Sequence, residues 1–118
     1  MSNKIKIGID AMGGENSPEK ILNAIDIIVK NNNKNTFLLY GQETILKKNI
    51  SKKKSIIKSC EIIDTPDIIS DDESPLTAVK KGKESSMWKS IESQKVNEAD
   101  ISLSAGNTGA LLVMSRLI

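Results

Sequence analysis

Two glycine-containing stretches carry the residue types from which a phosphate or oxyanion site is built. One is Ser104-Ala105-Gly106-Asn107-Thr108-Gly109-Ala110, which lies between a short apolar run and a longer apolar segment. Gly106 and Gly109 lack the Cβ that would hold a ligand away from the backbone. Successive amide N–H groups at a helix start, reinforced by the helix dipole, attract anions. Ser104, Asn107 and Thr108 add side-chain donors. The same residues also suit a tight strand-to-helix turn with Asn107 or Thr108 as N-cap, and spacing alone does not separate the two readings. The stretch lacks the G-x-G-x-x-G spacing of a dinucleotide fingerprint and the Gly-Lys-Ser/Thr of a P-loop.

The other stretch, Asp10-Ala11-Met12-Gly13-Gly14-Glu15-Asn16-Ser17-Pro18, follows the first apolar run of the chain. Asp10 would stand at the end of a strand, and Gly13 and Gly14 permit a sharp turn or a close ligand approach. A simpler role for Asp10 is to accept hydrogen bonds from amides of its own turn.

What is missing narrows the chemistry. The 118 residues contain no histidine, which excludes Ser-His-Asp and Cys-His catalysis and any His-ligated metal within them. No metal and no cofactor are expected; Asp71 and Asp72 match no standard metal spacing. The single cysteine, Cys60, permits no internal disulfide and fits a reducing compartment. It reads as a small core residue, as Met87 and Trp88 read as helix-face packing. Net charge is +2, too mild for a nucleic-acid partner. The lysines between Lys47 and Lys58 read as a solvated face, with docking of an acidic partner as the lesser alternative. The N-terminus lacks the apolar core of a signal peptide, and no apolar run approaches the ~20 residues of a membrane span. The expected location is the cytoplasm, with peripheral membrane contact left open.

These residues need elements to place them. Lys4 to Asp10 alternates as a strand. Ser17 and Pro18 read as N-cap and first residue of a helix whose stripe is Ile21, Leu22, Ile25, Ile28 and Val29, ending in Asn31-Asn32-Asn33. Thr36 to Tyr40 reads as a second strand, Glu43 to Lys48 as a short helix and Cys60 to Ile63 as a third strand. Leu76 to Lys81 is helical, and Ser85 or Ser86 caps a helix to about Val96. Asp100 to Ser104 is a fourth strand, and Asn107 to Ile118 a helix that is apolar nearly all round. Such a helix requires burial on more than one side, so the chain is expected to be part of a longer protein. Alternating strands and helices predict an α/β fold with a largely parallel sheet. Ligands in such sheets bind beyond the carboxyl ends of the strands, where both glycine stretches fall.

Taken together, Asp-Ala-Met-Gly-Gly at 10–14 and Ser-Ala-Gly-Asn-Thr-Gly-Ala at 104–110 resemble the signature of the PlsX family of phosphate acyltransferases. Lys83-Glu84-Ser85-Ser86-Met87 is similar to that family's basic, Ser-Ser-Met segment, and Asp71-Asp72-Glu73-Ser74-Pro75 to the acidic stretch before it. Glu15 and Asn16 depart from the aspartate and histidine usual after Gly-Gly, and Gly82 interrupts the basic run.

The resemblance implies a three-layer α/β/α sandwich of the isocitrate/isopropylmalate dehydrogenase-like kind, incomplete in this chain. Residues 1–118 would form the N-terminal part of one acyltransferase domain. It implies acyl transfer from acyl-acyl-carrier-protein to orthophosphate, giving acyl-phosphate for phospholipid synthesis. Phosphate is then itself the nucleophile, so no activated serine or cysteine is needed. Asp10, Asn107 and Lys83 would be catalytic. Gly13, Gly14, Lys81, Ser85, Ser86, Ser104, Gly106, Thr108 and Gly109 would surround phosphate. A homodimer and peripheral membrane association also follow from the resemblance. The alternatives are a phosphotransacetylase-like enzyme using an acyl-coenzyme A, or a non-catalytic module binding a phosphorylated ligand.

Overall fold

The computed structural model describes residues 4–31 and 34–118, the side chain of Lys81 excepted. Four strands, β1 (Lys6–Asp10), β2 (Thr36–Gly41), β3 (Cys60–Asp64) and β4 (Ile101–Ser104), form one sheet in the order β3-β2-β1-β4. All three pairings are parallel. Helices cover both faces, as an α/β/α sandwich requires.

On one face lie α1 (Glu19–Asn31) and α2 (Glu43–Ile50). Leu22, Ile25 and Val29 of α1 join Leu46 and Ile50 of α2 over Ile9, Phe37 and Leu39 of the sheet. The period-two alternation of β1 and β2 sends these strand residues to that face. On the other face α4 (Ser86–Lys95) packs across β1, β2 and β4, with α3 (Pro75–Lys81) and α5 (Thr108–Leu117) beside it. Ile69, Ala78, Met87, Trp88, Ala110 and Met114 form the second core. Ser86, Ser90 and Ser93 are buried on α4. Their small side chains let the helix lie close to the sheet, and Ser90 and Ser93 return their hydroxyls to carbonyls of their own helix.

Most predicted elements stand within a residue or two of their expected bounds. The start of α1 differs in its capping. Pro18 precedes the helix instead of opening it, across a cis Ser17–Pro18 peptide. Ser17 does not cap the helix; its hydroxyl donates to the carbonyl of Gly13 at 2.6 Å. Residues 15–18 form a turn directly ahead of α1. Asn31 closes that helix, while Asn32 and Asn33 of the predicted stop lie outside the described residues. Two single turns of 3-10 helix, Ile57–Ser59 and Gly82–Glu84, have no strong local signal.

Cys60 is half-buried at the start of β3, and burial pushes its thiol up to about 11. At neutral pH it is a packing residue, with little of the thiolate that reactivity needs. The lysines of 47–58 are mostly exposed, and Lys47 pairs with Glu43 at 2.7 Å on the same helix. Because α2 runs back from the carboxyl edge of the sheet toward the start of β3, residues 51–59 lie at the opposite edge from both glycine stretches. Of the apolar α5, Ala110 and Met114 are buried whereas Leu112 and Leu117 stay exposed. Among the described residues no helix is long and apolar enough to cross a membrane.

Candidate functional site

The two glycine stretches meet at the carboxyl edge of the sheet because β1 and β4 are adjacent and parallel, with Asp10 opposite Ser104 in register. Contact between the loops depends on missing side chains. A Cβ on Gly13 would fall 2.5 Å from Asp10 Oδ2 and 3.0 Å from the amide nitrogen of Gly106. Gly14 adopts φ +87°, which disfavours other residues, and a Cβ there would lie 2.8 Å from the carbonyl oxygen of Ala105. The paired glycines thus let one loop rest directly on the backbone of the other.

Beneath them sits Asp10, 1% exposed. Its Oδ1 accepts from the hydroxyl of Ser86 at 2.6 Å and from the amide of Met12 at 3.2 Å. Its Oδ2 accepts from the hydroxyl of Ser104 at 2.8 Å. Ser104 Oγ in turn accepts from the amide of Gly106 at 3.1 Å. One carboxylate therefore ties together the end of β1, the start of α4 and the end of β4. Both oxygens are occupied, and buried carboxylates require such partners.

The Asn107 side chain makes two sets of contacts within the protein. Its Oδ1 caps α5 by accepting from the amide of Ala110 at 3.1 Å. Its Nδ2 donates to the carbonyls of Glu73 at 2.6 Å and Ser70 at 3.1 Å, with Asp71 at 3.4 Å. The acidic stretch before α3 is pinned by this one side chain. Ser74 then caps α3 by accepting from the amide of Thr77, with Pro75 as first helical residue.

Between the two loops lies a polar cleft of about 450 Å³, lined by Gly14, Glu15, Lys20, Asp71, Ala105, Gly106, Asn107 and Thr108. Of the donors expected there, the Ser104 hydroxyl, the Gly106 amide and the Asn107 side chain are engaged within the protein. The amides of Asn107, Thr108 and Gly109 have no partner among the described residues. These are the donors that a helix start leaves for an anion. Gly109 faces Pro75, where a Cβ would come within 2.8 Å of the ring.

Of the lysines expected to supply positive charge, none whose side chain is described lines this cleft. Lys83 is exposed on the 3-10 turn after α3 and does not line the cleft; the side chain of Lys81 lies outside the described residues. Lys20, from the first turn of α1, lines it instead. Nothing in the sequence singles out Lys20, which lies in the first turn of an amphipathic helix. Ser85 is placed apart from the cleft as well. Its hydroxyl donates to Gly82 and accepts from the amide of Trp88, so it caps α4 and is buried away from the cleft. Ser86 serves the site only through Asp10. Glu15 and Asp71 line the cleft together with Lys20, so their carboxylates offset its charge there.

Comparison with known proteins shows the family. Phosphate acyltransferases of Pelagibacter ubique, Rhodospirillum rubrum and Azorhizobium caulinodans are 44%, 37% and 36% identical to this chain over 99–100% of its length. The chain spans about a third of the length of these curated relatives, 33–34% of each. Residues 5–118 match the family described as "Fatty acid synthesis protein", and the chain belongs to that family.

Proposed function

We propose that this chain supplies the phosphate-holding part of an acyltransferase that moves a fatty acyl group from acyl-acyl-carrier-protein to orthophosphate. The observation that carries the reading is the pair of unpartnered amides at Asn107 and Thr108, which open onto a cleft shared with Lys20. The name phosphate acyltransferase borne by the relatives supports the same chemistry.

In this reading hydrogen phosphate lies across the start of α5, held by the free amides and the Lys20 ammonium. One of its oxygens attacks the thioester carbonyl carbon. A tetrahedral oxyanion forms and collapses, the carbon–sulfur bond breaks, and the carrier thiolate leaves. The proton of hydrogen phosphate passes to that thiolate through solvent, so acyl-phosphate and carrier thiol are the balanced products. Catalysis comes from holding the reactants together and from preorganised donors. Asp10 acts as a positioning residue. It fixes Ser104, and through Ser104 the Gly106 amide, so that the following amides present themselves to the cleft. The product would serve phospholipid synthesis, and the work would be done by the longer protein of which relatives are examples.

The test is loss of acyl-carrier-protein thioester by the full-length protein, with and without orthophosphate. Phosphate-dependent loss with acyl-phosphate appearing is the expected result. Loss from a coenzyme A thioester alone would favour a phosphotransacetylase-like enzyme. Phosphate binding without loss from either donor would leave a binding module and sink the transfer reading.

A further inference from the structure

The ionisable lining of the cleft at the start of α5 is one lysine, Lys20, and two carboxylates, Glu15 and Asp71. Negative charge therefore outweighs positive beside the free amides of Asn107, Thr108 and Gly109. Among the described residues neither carboxylate has a hydrogen-bonding or ionic partner. A cleft shaped only by attraction to anions would not keep an unpaired carboxylate there. The backbone that carries Asp71 is nevertheless tied to the first turn of α5. Asn107 Nδ2 donates to the carbonyl of Asp71 itself and to those of Ser70 and Glu73 on either side. Glu73 Oε1 closes the same turn by accepting from the amide of Ser70 at 3.1 Å. The residue that caps α5, and so frames the free amides, thus also holds the segment bearing Asp71 beside them.

Amide donors set beside a carboxylate acceptor fit an oxyanion that still carries a proton. Inorganic phosphate at neutral pH keeps at least one P–O–H, which donates to a carboxylate while its other oxygens accept from amides and an ammonium. Sulfate has the same shape and the charge of hydrogen phosphate but no proton to give, so its lone pairs meet those of the carboxylate. We propose that Asp71 is a specificity-determining residue that accepts the P–O–H hydrogen bond and disfavours fully ionised tetrahedral anions; this rests on the phosphate-holding reading above. Discrimination of this kind needs a repulsive element against the wrong ligand as well as an attractive one for the right ligand. A site built to bond a hydroxyl rejects the analogue that lacks it. Asp71 takes this role ahead of Glu15 because its segment is the one bound to the capping residue of α5. Engaging the protonated oxygen also leaves the unprotonated ones, among them the attacking oxygen, to the amides and Lys20.

The test titrates the full-length protein with orthophosphate and, separately, with sulfate at neutral pH and constant ionic strength. The readout is the backbone amide resonances of residues 107–109. The wild-type protein is expected to bind phosphate more tightly than sulfate by ~10-fold or more, the scale of one hydrogen bond to a charged group. Asp71→Asn is nearly isosteric at an exposed position, and its NH₂ can donate to sulfate. It should weaken phosphate and tighten sulfate, lowering the ratio by ~10-fold or more. Opposite movements separate this role from others: a loosened loop would weaken both anions, and the mere loss of a negative charge would tighten both. Either parallel change, or an unchanged ratio, overturns the proposal. Glu15→Gln should tighten both anions and leave their ratio unchanged; a collapse of the ratio there overturns the assignment to Asp71. A wild-type protein that binds neither anion at these amides overturns the phosphate-holding reading, and the proposal with it. Binding with the expected discrimination but without acyl-phosphate formation overturns the transfer reading alone.

Discussion

Asp10→Ala is expected to lower the unfolding free energy of the full-length protein by about 3 kcal/mol, the scale of removing one partner from a buried charged network. The substitution strands three donors at once: the Ser86 hydroxyl, the Ser104 hydroxyl and the Met12 amide. Hydroxyls can swing to other acceptors, but the amide is fixed by the turn, so the loss is not recovered. Turnover should fall by more than ~100-fold, because the Gly106 amide and the donors after it lose their anchor. Asp10→Asn keeps the shape and one good acceptor, yet sets an amide NH₂ against a serine hydroxyl, and should cost about half as much stability. Urea unfolding monitored by far-ultraviolet circular dichroism gives the first quantity and acyl-phosphate formation the second. An Asp10→Ala protein within ~1 kcal/mol of wild type would show that the three hydrogen bonds do not hold the loops together.

Asn107→Ala is the second large effect. Loss of the α5 cap costs about 1 kcal/mol, and the carbonyls of Ser70, Asp71 and Glu73 lose the donor they share. Turnover should drop by more than ~10-fold as the wall of the cleft loosens and the start of α5 frays. Asn107→Asp separates the two tasks. It retains the capping oxygen but turns a carboxylate toward carbonyl oxygens, so the helix should persist while the 70–74 stretch is released. Faster amide hydrogen exchange confined to 70–77 in Asn107→Asp, extending to 108–111 in Asn107→Ala, is the expected pattern. Near wild-type turnover in both variants would remove this loop from the mechanism.

The contrast between these two residues shows where sequence reading succeeds and where it stops. Asn107 offers a local signal, a polar residue three before a helical amide, so the cap is visible in the sequence. Its grip on Ser70 and Glu73 spans more than thirty residues and leaves no local trace. Asp10 is recognisable as a strand-end carboxylate, and its bond to Met12 is the local turn that type of residue makes. Its partners Ser86 and Ser104 are each distant in sequence, and they meet only once β1 pairs with β4 and α4 crosses behind. The alternation of strands and helices was strong enough to give the parallel sheet, since each pattern is periodic and local. The turn at Ser17-Pro18 was not, because proline suits both a helix start and the turn before one. Lys20 lines the cleft and Lys83 does not, a placement visible only once the elements are assembled.

The most direct test of the account is an orthophosphate titration of the isotopically labelled full-length protein, followed through backbone amide resonances. The account predicts saturable shifts centred on Asn107, Thr108 and Gly109, a smaller response at Lys20, and a weakened response in Lys20→Ala. Shifts centred elsewhere, or none at phosphate concentrations that support turnover, would contradict the claim that the start of α5 holds the phosphate.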